Sequence, residues 1–97
     1  MLPVTFGSLA RSEMLGAIDW YNAHRPTVGE RFLAEVDAVV SRIAENPRQF
    51  PVIYKDVRRA RLRRFPYALF FCVNEDSVEI IACFQSNRNP KRWRERR

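Results

Sequence analysis

Two apolar runs, Tyr67–Val73 and Val78–Phe84, are separated by only four residues, the polar stretch Asn74–Ser77. A spacer this short can only reverse the chain, so the two runs are expected to pair as neighbouring antiparallel strands. Tyr67–Val73 is nearly continuous in its apolar character, which suits a strand buried on much of both faces. With the turn centred between Glu75 and Asp76, Cys72 is expected opposite Glu79 and Cys83 opposite Ala68. That register keeps the two thiols apart and disfavours a disulfide. Neither cysteine has His or Cys neighbours at metal-ligand spacing, so both read as small buried apolar residues in a reducing compartment.

The N-terminal half has a different period. Leu2, Val4 and Phe6 alternate as in a short strand, and Gly7-Ser8 supplies a turn and an N-cap. Ala10, Met14, Ala17, Ile18 and Tyr21 then fall at helical spacing, predicting a helix over 9–23 that ends near Pro26. Thr27 and Glu30 have capping-box spacing, and Val28, Phe32, Val36, Val39, Val40 and Ile43 form one stripe running to Asn46-Pro47. So short a link forces the two helices into an antiparallel hairpin. Residues 57–65 read as a strand, with Ala60 and Leu62 on one face and Arg59, Arg61 and Arg63 on the other. Asn89-Pro90 suits the start of a short basic C-terminal tail or helix. The order β-α-α-β-β-β predicts an α+β fold in which a helical hairpin covers one face of a small, mainly antiparallel sheet. The other face is expected to stay partly open. At 97 residues, 46% of them hydrophobic, the chain supplies one core, so residues 1–97 are read as a single domain.

Charge is distributed unevenly. Seventeen Lys and Arg against eleven Asp and Glu give a net charge of +6. Residues 1–54 carry five basic and six acidic side chains, and residues 55–97 carry twelve and five, so the whole excess lies in the second half. Such a concentration points to anionic partners. Its two groups are Arg59, Arg61, Arg63 and Arg64, then Arg88, Lys91, Arg92, Arg94, Arg96 and Arg97, and they are expected to meet at a cationic concavity on the open face or its rim. Trp93 lies within the second group. Its indole must either fold back to anchor the tail or stay available to a partner. No signal peptide or membrane span is read in the chain, so a cytoplasmic location is expected.

Candidate chemistry is sparse. His24, the single histidine, falls in the interhelical turn with no nucleophile placed beside it, and reads as a solvated turn residue. Asp19, Glu35 and Asp37 are placed on outward helix faces without the clustering of a metal or paired-carboxylate site. Gly7, Gly16 and Gly29 are isolated, so no phosphate-cradling loop is present. No metal site and no cofactor are expected.

Several segments together carry a resemblance. Ala17-Ile18-Asp19-Trp20-Tyr21, Gly29-Glu30-Arg31-Phe32-Leu33-Ala34-Glu35-Val36, Ile43-Ala44-Glu45-Asn46-Pro47 with Phe50-Pro51, Arg63-Arg64-Phe65-Pro66-Tyr67, and Arg88 followed by Pro90 and Trp93 resemble, in order and spacing, the ParE branch of the RelE/ParE toxin superfamily. The resemblance spans nearly the whole chain. It implies a toxin of a type II toxin–antitoxin module, a plasmid stabilisation protein, neutralised by a directly bound ParD-like antitoxin in a hetero-oligomer. DNA binding for autoregulation would reside mainly in the antitoxin. By the same resemblance, Trp20, Phe32, Val36 and Arg63 are expected to meet the antitoxin, and Arg59, Arg61, Arg63, Arg88, Arg92 and Trp93 the target.

The superfamily divides by target. RelE-like members cleave mRNA in the ribosome, which needs phosphate-stabilising cations and groups that move protons. ParE-like members inhibit DNA gyrase without known chemistry of their own. Arg63 and Arg88 match basic positions of the nuclease branch, but Gln85 stands where many relatives carry His, and no Tyr or His follows Tyr67. Gyrase inhibition, with no catalytic residues, is therefore the expectation. A ribosome-dependent endoribonuclease and a non-toxic binding module are the alternatives.

Overall fold

The computed structural model describes residues 1–97. Along the chain run β1 (Val4–Phe6), α1 (Ser8–His24), α2 (Val28–Glu45), a 3-10 turn at Pro47–Gln49, β2 (Val52–Tyr54), β3 (Val57–Arg61), β4 (Tyr67–Val73), β5 (Val78–Gln85) and the one-turn helix α3 (Lys91–Arg94). The Asn74–Ser77 turn does reverse the chain, and β4 and β5 pair antiparallel within a five-stranded sheet of order β1-β5-β4-β3-β2. Only β1 runs parallel to its neighbour β5. The expected helical hairpin on a mainly antiparallel sheet is thus the observed architecture.

Both faces of the sheet are apolar. Ala10 and Ala17 of α1 and Phe32, Val36, Val39 and Ile43 of α2 pack with Ala60, Leu69, Phe71, Val78, Ile80 and Cys83. On the other face Val57, Ala68, Phe70, Cys72, Ile81, Ala82 and Phe84 form a smaller core closed by Trp93. This two-sided burial is why β4 reads as a continuous apolar run. The second face, expected to stay partly open with a cationic concavity on it or at its rim, is covered at its centre.

Four local expectations are corrected. Cys72 faces Glu79 as expected, but the register shifts between Phe70 and Phe71, leaving Ile81 unpaired and placing Cys83 opposite Leu69 instead of Ala68. The bulge turns Ile81 and Ala82 to the same face, so Cys83 packs in the helix-side core and Cys72 in the other. Both are buried free thiols. The strand expected over 57–65 stops at Arg61, because residues 62–66 turn into Pro66 and leave the ladder. Preceding it is an unforeseen strand, β2, whose three residues are too few to show alternation. Thr27 adopts helical backbone angles and its side chain makes no capping bond, so the capping box does not form. The interhelical turn is closed instead by the Val28 N–H donating to the Arg25 carbonyl at 3.0 Å.

No helix is long and apolar enough to cross a membrane.

Candidate functional site

Three surfaces gather cationic side chains, and each is built by different elements. The first is a groove between the outer side of α2 and the turn after β3. Val28, Ala34, Ala38, Val39 and Phe65 supply its apolar lining, and Arg31, Arg42, Arg63 and Arg64 the charge. Glu35 fixes this groove. Its carboxylate accepts from the backbone N–H groups of Arg63 and Arg64 at 2.8 and 3.1 Å. The carboxylate thereby holds the turn against α2 at the residues whose guanidinium groups line the groove. Glu35 was expected to face outward, and a single sequence gives no sign of this long-range bond. Its volume of about 760 Å³ has room for several side chains of a docked segment. Its composition, apolar floor with cationic rim, suits an acidic amphipathic helix.

The second is a cleft between α1 and the end of β5, walled by Trp20 and lined by Gly16, Tyr67, Phe84, Gln85, Arg88 and Arg92 among others. Trp20 is 57% exposed. Its ring stacks on His24 at 4.0 Å, and His24 Nδ1 lies 2.8 Å from the Trp20 carbonyl oxygen, so the lone histidine holds a tryptophan in place at the end of α1. Arg88 Nε donates to Gln85 Oε1 at 2.9 Å, and Gln85 Nε2 to the Tyr67 hydroxyl at 3.4 Å. Glu13, the one carboxylate lining the cleft, is fully engaged. It accepts two bonds from Arg96, at 2.8 and 2.9 Å, and one from the Cys83 N–H at 3.1 Å. That bidentate bond raises the Arg96 pKa above the ordinary arginine value.

The third is the pole where α3 meets the β2–β3 turn. Trp93 is only 3% exposed and stacks on Phe70 with ring centroids 4.4 Å apart, its plane near-perpendicular to Tyr54 at 6.0 Å. Of the two outcomes open to its indole, the structure takes the first: it anchors the tail. Arg97 forms a bidentate pair with Asp56 at 2.5 and 3.0 Å, and the Arg97 hydrogen bonds hold the Asp56 carboxyl below the usual carboxylate range. Asn89 Oδ1 accepts from the Lys91 N–H at 3.0 Å just ahead of α3, but the helix starts one residue later than Asn89-Pro90 suggested, with Pro90 at the N-cap.

The expected site residues are thus divided among separate surfaces. Arg63 lies in the first, and Trp20, Arg88 and Arg92 share the second. Arg59 and Arg61 pair with Phe70 and Ala68 of β4, away from the helices. Partial burial, with Arg61 beside it, lowers the Arg59 pKa below the ordinary arginine value. Three expectations fail on burial. Phe32 and Val36 are 0% and 1% exposed and face the sheet, so neither can meet an antitoxin, and Trp93 cannot meet a target. Phe32 instead sits at the centre of an aromatic cluster with Tyr21, Phe65 and Tyr67, at centroid distances of 5.1 to 5.5 Å. The stripe that identifies a helix from sequence is the side that folding hides. The opposite side of α2, with Arg31, Ala34 and Ala38, lines the groove.

No group of three or more His, Cys, Asp or Glu side chains is placed to hold a metal ion.

Comparison with known proteins agrees with this geometry. The model of the family described as ParE toxin of type II toxin–antitoxin system, parDE, matches residues 4–90. Toxin ParE2 of Mycobacterium tuberculosis, in strains CDC 1551 / Oshkosh and ATCC 25618 / H37Rv, is 33% identical over 55 residues, which are 57% of this chain and 52% of the relative. The chain spans about half the length of these curated relatives. A solved structure of the chromosomal ParDE TA system from P. aeruginosa superposes with a TM-score of 0.77 at 18% identity, covering 88% of this chain and 96% of that one. At that identity the likeness establishes the fold.

Proposed function

The chain belongs to the ParE toxin family of type II toxin–antitoxin systems, and from that membership we propose that it arrests replication by inhibiting DNA gyrase and is neutralised by a directly bound ParD-like antitoxin. The observation that carries the choice of target is the lining of the α1–β5 cleft. Cations are present there in Arg88 and Arg92, yet the residue bonded to Arg88 is Gln85, an amide that moves no proton near neutral pH, and Glu13 is tied to Arg96 and the backbone. Such a surface binds. It is poorly equipped to cleave.

For the antitoxin, the α2 groove with Arg31, Arg42, Arg63 and Arg64 is the seat of an acidic amphipathic segment, which continues over Trp20. Because Trp20 shares its cleft with Arg88 and Arg92, a segment lying on it covers the cations that engage the target. Neutralisation is then occlusion within a hetero-oligomer, with no need for a change in the toxin's fold.

Supercoiling of relaxed plasmid by purified gyrase tests the target. Saturating toxin is expected to abolish supercoiling or trap a cleavage complex, and Arg88→Glu to relieve the effect; normal supercoiling overturns the reading. The bonded series Tyr67–Gln85–Arg88 favours one second reading, ribosome-dependent RNA cleavage with the tyrosine hydroxyl beside the guanidinium. Primer extension on translated mRNA after induction decides it: discrete new 5′ ends replace gyrase inhibition as the activity.

A further inference from the structure

The molecule has two ion pairs, Arg96–Glu13 and Arg97–Asp56, and both engage the last two residues. The remaining cations of the second half pair with no Asp or Glu side chain. Lys55 of the β2–β3 turn and Lys91, Arg94 and Arg97 of the tail gather around one concavity of about 490 Å³, which Tyr54 and Asn89 also line; Glu95 is its one carboxylate. This pole differs from the α2 groove in a way that selects the partner. The groove has an apolar floor on which a protein helix can bury a stripe of side chains. At the pole the only aliphatic lining is Pro90, and the Tyr54 ring is occupied by the Arg94 guanidinium at 4.8 Å and the Lys55 ammonium at 5.4 Å. Nothing apolar or aromatic is left to receive an amphipathic segment or an unstacked base.

Arg94 and Lys55 are also held in place. Trp93, buried against Phe70, fixes α3, and Arg94 lies 5.5 Å from the Trp93 ring as well as over Tyr54. Lys55 Nζ donates to the main-chain oxygen of Arg97 at 3.2 Å. Side chains already ordered by stacking lose less rotamer freedom on meeting an anion. A ligand that offers repeated charge, needs no apolar floor and keeps its bases stacked inside is duplex nucleic acid. Dedicated duplex-RNA-binding domains span roughly 16 bp and contact 2′-hydroxyls across two minor grooves, a reach that one turn of helix and one strand turn do not have.

We propose that the pole formed by Lys55, Lys91, Arg94 and their neighbours binds the phosphate backbone of double-stranded DNA without reading its sequence. This is a contact made by the toxin itself, and it stands whether or not gyrase is the target. Three phosphates neutralised give a slope of log K against log salt of about −2.7, so affinity falls about 40-fold between about 50 and 200 mM salt.

The test is fluorescence anisotropy of the purified full chain with a short labelled DNA duplex of arbitrary sequence, across that salt range. Lys91→Glu with Arg94→Glu is expected to weaken binding at least tenfold at low salt and reduce the slope by about two. Arg31→Glu with Arg42→Glu, the same change in net charge placed at the α2 groove, is expected to change affinity less than about threefold. The neutral pair Lys91→Gln with Arg94→Gln keeps the comparison valid should charge reversal disturb the tail, and circular dichroism melting checks the fold of each variant. Equal losses in the pole and groove variants overturn the assignment in favour of diffuse net charge. Absence of binding overturns it outright, and tighter binding of poly-glutamate or duplex RNA than of DNA at this pole replaces the ligand.

Discussion

Trp93 is one side chain among the six charged residues of Lys91–Arg97, yet it decides where the tail lies. Burying an indole against Phe70 outweighs the cost of ordering a four-residue helix, which could not persist alone in water. Trp93→Ala is expected to destabilise the protein by about 3–5 kcal/mol in urea unfolding, and Trp93→Phe by less, because a phenyl ring keeps most of the stack on Phe70. Cys83 is the other informative single residue. Burial, with the Glu13 carboxylate adding to it, pushes its thiol up to about 12 from an ordinary value of 9.0. The folded state therefore keeps this proton where the unfolded chain releases it. Its contribution is complete below about pH 9 and is lost as pH rises toward about 12, at about 1.4 kcal/mol per unit. Denaturation midpoints measured from pH 8 upward should fall along this course. In Cys83→Ala the alkaline fall should be shallower. The thiol should also resist a disulfide reagent in the native protein at pH 8 and react once the chain is unfolded.

At the scale of elements, the turn after β3 is held by a helix on the far side of it. The two N–H groups of Arg63 and Arg64 have no strand partner, and Glu35 accepts both. Glu35→Ala should cost about 1–2 kcal/mol in thermal or urea unfolding. It should also weaken antitoxin binding measured by titration calorimetry, because the groove loses its fixed wall while retaining every arginine. Glu35→Gln keeps an acceptor oxygen and should recover much of both losses. Equal effects of the two variants would show that the charge of Glu35 matters and its positioning of the turn does not. The bulge at Ile81 is the second element-scale feature. By turning Ile81 and Ala82 to one face it places both against the Trp93 side, and it sends Cys83 to the helix side, where Glu13 bonds its N–H. The sheet is thus locked to α1 at the point where Arg96 also reaches Glu13 and the Ile81 carbonyl.

For the whole molecule, an excess of six positive charges concentrated in the second half should speed encounter with an acidic antitoxin. Stopped-flow association is expected to slow severalfold between about 50 and 300 mM salt while dissociation changes little, since the exposed arginines act across distances that salt screens. An association rate indifferent to salt would remove electrostatic steering from the account. The helices, the central hairpin, the family and the location of the charge were legible in the sequence, because each rests on period, on a short connection or on the order of segments along the chain. A stripe such as Phe32–Val36–Ile43 says that a helix face is buried, and in doing so it excludes that face as a docking surface. Which cations share a groove was not legible. Arg63 meets Arg31 and Arg42, Arg88 meets Trp20, and Lys55 meets Arg94, all pairings between segments far apart in sequence. They follow from a one-residue bulge, a carboxylate reaching across 28 positions and a tail folded back on its indole. Local patterns carry no record of contacts of that kind, since the free energy that selects them comes from packing between elements already formed.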